Sequence, residues 1–367
     1  MTRKKILCIV GTRPEAIKMA PVILTLRQEP WADVHVLATA QHRDLLDQVF
    51  GHFRITPDSD LDVMRPDQTL TALTARLLLG LDAVLDAFRP DAVLAQGDTT
   101  TVMTSSLACF YRRIAFGHVE AGLRTGDIAN PFPEEANRVI TGLLADWHFA
   151  PTESARQNLL QAGVDDARIW VTGNTVIDSL LMTAADKPRL GFDLPANRRL
   201  VLITAHRREN FGAPFEDICR GIRLLAERNP EVTFLYPVHP NPNVKTVAHA
   251  RLGGLANVIL SEPLGYVDFV AAMSRAHVII TDSGGVQEEA PALGKPVIVL
   301  RNETERPDAV EAGVVELVGT DAGRLSAAVQ RLLDDDDAWR AMARGVSPYG
   351  DGHAAGRIVA AIRAQMS

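Results

Sequence analysis

Two doubly wound α/β domains are what this sequence predicts, and three observations lead there. Short apolar runs alternate with longer amphipathic segments from one end of the chain to the other. The alternation starts afresh near Leu200, after a polar, Pro-containing stretch at 187–199. A chain of 367 residues is long for one domain and comfortable for two. Strands alternating with helices imply parallel sheets covered on both faces.

The strand-like runs include 6–10, 34–38, 92–95, 114–119, 200–204, 232–236, 278–281 and 297–300. Leu70, Leu73, Leu77, Leu81, Leu85 and Phe88 recur every three or four residues and predict one helix with an apolar stripe. Leu325, Val329, Leu332 and Leu333 predict another. The last segment, 354–366, reads as a helix after a turn at 348–352. The predicted domains are 1–172, joined by the carboxyl-terminal helix 354–367, and 173–353. The acidic run Asp334–Asp337 reads as a solvated helix end.

The formal charge of -7 argues against a nucleic-acid partner, which usually requires a basic face. No apolar run approaches the roughly 20 residues of a membrane helix, and none resembles a signal peptide. Cys8, Cys109 and Cys219 lie far apart and read as reduced, buried thiols of a cytoplasmic protein.

Cofactor signatures are missing. The first strand leads into Gly11-Thr12-Arg13-Pro14-Glu15 rather than G-x-G-x-x-G, and Gly294-Lys295 runs into Pro296. His118 and Glu120 could share a metal, but no further ligands accompany them. Chemistry without redox cofactor or metal is the expectation.

In open parallel sheets, ligands sit beyond the carboxyl ends of the strands, so polar residues there carry most weight. The first such loop holds Arg13 and Lys18 beside a helix start that Pro14 suits, an anion site or two solvated cations. Asp98, in Gln96-Gly97-Asp98-Thr99, is either an N-cap or a carboxylate aimed at a ligand. Glu120 ends an apolar strand, where an ionisable group is costly unless it has a partner or a task. Glu134 and Arg138 share one face of a helix that starts at Pro133, as an ion pair or as site residues. In the second half, Ser283-Gly284-Gly285 opens a helix with uncovered amides suited to phosphate, and Glu289 could accept from ribose hydroxyls. Arg306 and His206-Arg207-Arg208 add positive charge.

Taken together, these segments resemble the non-hydrolysing UDP-N-acetylglucosamine 2-epimerase family. The matching stretches are GTRPEAIKMAP (from Gly11), TAQHR (Thr39), QGDTTT (Gln96), GHVEAGLRTGD (Gly117), PEEANR (Pro133) and TGNTVID (Thr172). They continue in order with AHRREN (Ala205), YPVHPNPNV (Tyr236), TDSGGVQEEAPALGKPV (Thr281), TERP (Thr304) and PYGDG (Pro348). The resemblance implies two Rossmann-like domains facing across a cleft, the fold of the B-type glycosyltransferases, and commonly a homodimer. It implies interconversion of UDP-GlcNAc and UDP-ManNAc, supplying ManNAc units for cell-surface polysaccharide, with no cofactor. By that resemblance Asp98, Glu120, Glu134, Arg138 and His206 fall on catalytic positions. Arg13, Lys18, Leu264, Phe269, Ser283, Gly284, Gly285, Glu289 and Arg306 fall on substrate-binding positions, with Leu264 standing where some members have Gln. Gln41, Glu135, Arg207 and His239 match parts of an activating second UDP-GlcNAc site, whereas Asp44 and Asp67 depart from it.

Overall fold

The computed structural model describes residues 3–39, 43–65, 67–195, 197–304 and 306–367, with only the backbone at 43–45. Within them the chain forms two units. The first holds the residues up to Ser179 together with Tyr349–Ser367, and the second holds Leu180–Pro348. The division falls inside the helix Thr175–Ala185. Ser179 stays with the first unit because its hydroxyl donates to the Ile17 carbonyl. One residue earlier, Asp178 caps the helix Ala354–Gln365, accepting the amides of Ala354 and Ala355 at 3.2 and 2.8 Å. That capping ties the end of the chain to the first unit.

The first unit contains strands β1 (Lys4–Val10), β2 (Ala32–Ala38), β3 (Ser59–Asp60), β4 (Ala92–Gln96), β5 (Ala115–Val119), β6 (Trp147–Ala150) and β7 (Ile169–Val171). They form one parallel sheet in the order β3-β2-β1-β4-β5-β6-β7. The second unit contains β8 (Leu200–Thr204), β9 (Thr233–Pro237), β10 (Val258–Ser261), β11 (Val278–Thr281), β12 (Val297–Val299) and β13 (Val315–Leu317). These are parallel too, in the order β10-β9-β8-β11-β12-β13. The central strands are buried along their length, which is why they read as unbroken apolar runs rather than alternating ones.

Burial follows the helical stripes. In the helix Leu70–Phe88, Leu73, Leu77, Leu81 and Leu85 are buried while Leu70 is exposed. All of Leu325, Val329, Leu332 and Leu333 are buried in the helix Ala322–Asp334. Asp335 of the acidic run accepts the amides of Asp337 and Ala338 and so caps the next short helix. The three cysteines are buried and free. No described helix is long and apolar enough to cross a membrane.

Both sheets reverse their direction of growth at one place, between β1 and β4 in the first and between β8 and β11 in the second. The loops leaving those strand pairs diverge to opposite faces and leave a crevice at their carboxyl ends, where doubly wound folds bind ligands. Gly11–Arg13 and Gly97–Asp98 leave the first pair; Ala205–Arg207 and Asp282–Ser283 leave the second.

Candidate active site

In the first unit the β1 and β4 loops are joined through Glu15. Thr12 caps the helix Arg13–Gln28 and Glu15 completes a capping box. One Glu15 oxygen accepts the amides of Gly11 and Thr12 at 2.5 and 2.8 Å, and the other accepts the Thr99 hydroxyl at 2.5 Å. Burial pushes this carboxyl up to about 7, with the three donors opposing and the neighbouring Asp98 charge adding to the rise.

Asp98 sits beside that junction. It is not an N-cap: Thr99 caps the helix Thr100–Arg112, which frees the Asp98 side chain. Its carboxylate takes a forked contact from Arg138, Nε at 2.9 Å and Nη2 at 2.7 Å, and Asn137 holds its carbonyl at 2.8 Å. Burial raises the Asp98 pKa; Arg138 opposes, the Glu120 charge adds to the rise and Lys18 opposes again. Arg138 also meets Glu135, at 3.1 Å, rather than Glu134.

Glu120 lies just past β5 with φ +64, a left-handed conformation that a glutamate rarely adopts and that collects at functional sites. Its carboxylate is 7% exposed and receives Lys18 Nζ at 2.6 and 2.7 Å, Asn174 at 2.8 Å, and Gln96. Lys18 is thus committed to a carboxylate rather than flanking the helix start with Arg13. Gly122 follows at φ +90, and a Cβ there would stand 2.2 Å from the Ala155 carbonyl, so the turn admits only glycine. His118 donates from Nε2 to the Gly97 carbonyl at 2.7 Å, and burial lowers its pKa to about 4. It supports the Asp98 loop as a neutral ring. Glu134 is the first residue of the helix Glu134–Leu144, half-buried and without an ion pair among the described residues.

The second unit holds a different set. Ser283 opens the helix Gly284–Ala292 with no side-chain cap, so the first amides of that helix remain available. Arg207 and Arg306 each bring a guanidinium nitrogen to 3.7 Å from where a Gly284 side chain would begin. Arg306 is anchored by Glu288, which is buried. Beside them is a pocket of about 290 Å³, whose lining includes His206, His239, Leu264, Phe269, Ser283, Gly285 and Glu289. Cationic groups and bare amides adjoin an aromatic, largely apolar recess, a combination suited to a diphosphate joined to a planar base.

Among the residues assigned by resemblance to a second site, Glu135 is 2% exposed, and its oxygens are taken by Arg138 and by the amides of Thr125 and Gly126. Arg207 and His239 belong to the surroundings of the second unit's pocket. Gln41 lies outside the described residues, as do the side-chain contacts of Asp44. Sequence reasoning passed over Glu15, Gln96, Asn174, Asp282 and Glu288. All five are polar residues near strand ends or within the first two turns of a helix with almost no exposure, and burial was the signal absent from the sequence.

The family model for UDP-N-acetylglucosamine 2-epimerase matches residues 24–363. The chain belongs to that family. It is 52% identical over 369 residues to the UDP-N-acetylglucosamine 2-epimerase of Escherichia coli K12, covering 98% of each chain. Its fold superposes on the Neisseria meningitidis UDP-GlcNAc 2-epimerase solved bound to UDP-GlcNAc with a TM-score of 0.87 at 45% identity, covering 98% of this chain and 99% of that one. A glycotransferase of kitacinnamycin, 16% identical with a TM-score of 0.64 over 98% of this chain and 99% of that one, shares the fold. Two parallel α/β sheets of this kind are thus common to epimerases of the family and to glycosyltransferases.

Proposed function

We propose that the chain interconverts UDP-GlcNAc and UDP-ManNAc by eliminating UDP and adding it back through a bound 2-acetamidoglucal. The carbon to be inverted bears no neighbouring carbonyl, so its hydrogen gains acidity only as the anomeric C–O bond breaks. A base removes the C2 proton, the C1–O electron pair leaves with UDP, and a C1=C2 double bond forms. Return of a proton to the opposite face of C2, with attack of UDP oxygen on C1, gives the epimer. No nicotinamide or metal enters this sequence.

The observation that most supports it is the pair of carboxylates beside the first switch point, Asp98 and Glu120, each ion-paired with a cation. Asp98 is the base in this reading, with Glu120 and Glu134 as the other carboxylates of the proton chemistry and Arg138 tuning Asp98. The second unit takes UDP: Ser283–Gly285 amides, Arg306 and His206 meet the diphosphate, Phe269 and Leu264 the base, and Glu289 the ribose. Arg13 and Lys18 complete substrate binding. The leaving group's charge is best met by donors already in position, which need no reorganisation as it develops.

Incubating the pure protein with UDP-GlcNAc alone in deuterated water, followed by proton NMR, tests the reading. A mixture of two UDP-sugars with deuterium at C2 is expected. Free ManNAc would indicate hydrolysis, an unchanged donor a transferase awaiting an acceptor, and product without deuterium a route with internal proton return. Phe269→Ala is expected to weaken UDP binding about 10-fold in calorimetry, the loss of one base–aromatic stack.

The chain is proposed to act in the cytoplasm, where the free thiols of Cys8, Cys109 and Cys219 stay reduced, and to supply ManNAc units for cell-surface polysaccharide. A homodimer is proposed as well, because Phe110, Tyr111, Val139, Ile140 and Leu143 are exposed on two helices that pack on each other. Light scattering should give twice the chain mass, and Leu143→Glu should give the monomer.

A further inference from the structure

Asp282 is completely buried at the end of β11, and the diphosphate reading gives it no task. One of its oxygens is well occupied. Oδ2 accepts the amides of His206 and Arg207, each at 2.8 Å, and the Asn210 side-chain amide at 3.2 Å. Those bonds hold the β8 loop against β11. The other oxygen is different: Oδ1 has no hydrogen-bond partner among the described residues and stands 3.5 Å from Nδ1 of His206. A carboxylate oxygen out of water and short of donors is expensive. A small ring rotation would bring this pair to hydrogen-bond length.

The ring is held on a second side. His239 stacks on it with centroids 5.5 Å apart and planes 9° from parallel. With Nδ1 turned to Asp282 and one face covered by His239, the edge left to the pocket is the one carrying Nε2.

We propose that Asp282 is a positioning residue for His206: it accepts a hydrogen bond from Nδ1–H and keeps the imidazolium turned so that Nε2–H meets the departing diphosphate. The proposal rests on the elimination reading above. When the C1–O bond breaks, its electron pair stays on the diphosphate oxygen, and the Nε2–H donates a hydrogen bond to that charge. Asp282 exchanges no proton in the step. The charges facing the ring are Asp282 from the β11 loop, His239 from the β9 loop and Arg207 from its own loop; Glu289 lines the same pocket. Burial lowers the His206 pKa, Asp282 raises it, and His239 and Arg207 lower it further. The balance lies below the ordinary imidazole value, and Asp282 is the group that opposes the fall and favours the charged ring.

Asp282→Asn tests this directly, because its remaining oxygen still accepts the two loop amides. Followed by nitrogen-15 NMR of the histidine rings, with His206 assigned through His206→Gln, the variant should bind the His206 proton at least about tenfold more weakly. Turnover should fall by about 10²–10⁴-fold, as when an orienting carboxylate is neutralised, with KM for UDP-GlcNAc changed less than about threefold. Asp282→Asn combined with His206→Gln should be no slower than His206→Gln alone. A merely structural Asp282 would instead lower the thermal midpoint and raise KM while leaving the His206 titration in place, and that result overturns the proposal. If the variant does not fold, the spectrum of the UDP-bound wild type decides: a ring protonated at both nitrogens at neutral pH supports the assignment, and a ring protonated at only one nitrogen refutes it. The NMR readout needs no turnover. An inactive wild type would therefore sink the epimerase reading and leave the pairing of Asp282 with His206 to be judged separately.

Discussion

Replacing Asp98 by Asn is expected to lower turnover by at least about 10²-fold while UDP still binds. The choice of Asp98 over Glu120 comes from what each carboxylate already holds. Glu120 is surrounded by donors from Lys18, Asn174 and Gln96, so its lone pairs are spoken for and its ionised form is locked in place. Asp98 is ion-paired with Arg138 alone among the described residues, and its pKa is raised by burial, which makes it a stronger base once ionised. Its side chain is 28% exposed, so a substrate can reach it. Asn keeps the shape and can still accept from Arg138, which makes loss of basicity the principal change. Rates by coupled assay and UDP affinity by calorimetry check both halves. Near-normal turnover would remove Asp98 from the mechanism and pass the role to Glu134.

Much of this arrangement was legible before any coordinates. The central strands β1, β4, β8 and β11 are unbroken apolar runs because helices cover both faces of each sheet, and burial on both sides writes itself into composition. Strands passed over are short or interrupted: β3 has two residues, β7 and β13 have three, β10 has four, and β6 carries His148 in its middle. No window is long enough to show a period there. The switch-point loops were also legible, because Gly11, Gly97, Asp98, Glu120 and Ser283 stand where apolar runs stop. Partners were not. Helical spacing proposed Glu134 for Arg138, yet the arginine reaches Asp98, 40 positions away, because Asn137 and Arg138 face the β4 loop. Lys18 and Glu120 are 102 positions apart, and only the adjacency of β1, β4 and β5 brings them together. Sequence spacing reports neighbours along an element, whereas this site is made of neighbours across a sheet.

Arg138→Met carries the second large effect, and it separates charge from shape at the same site. The guanidinium is the strongest influence holding the Asp98 carboxyl down against burial and against the Glu120 charge. Without it the Asp98 pKa must rise further. A base works only when ionised, so activity falls as pH falls through that pKa, and in the variant the fall begins at a higher pH. Glu135, 2% exposed, loses its ion pair with Arg138 as well and keeps the amides of Thr125 and Gly126. Breaking a buried pair by removing one partner costs about 3–5 kcal/mol; the exposure of Asp98 places this case at the lower end. Arg138→Lys restores the charge without the forked geometry and should return the acidic limb part of the way. Profiles of kcat against pH, recorded beside urea unfolding for all three proteins, give both quantities. An acidic limb that stays in place in Arg138→Met would mean that Asp98 is not the group whose ionisation limits the reaction.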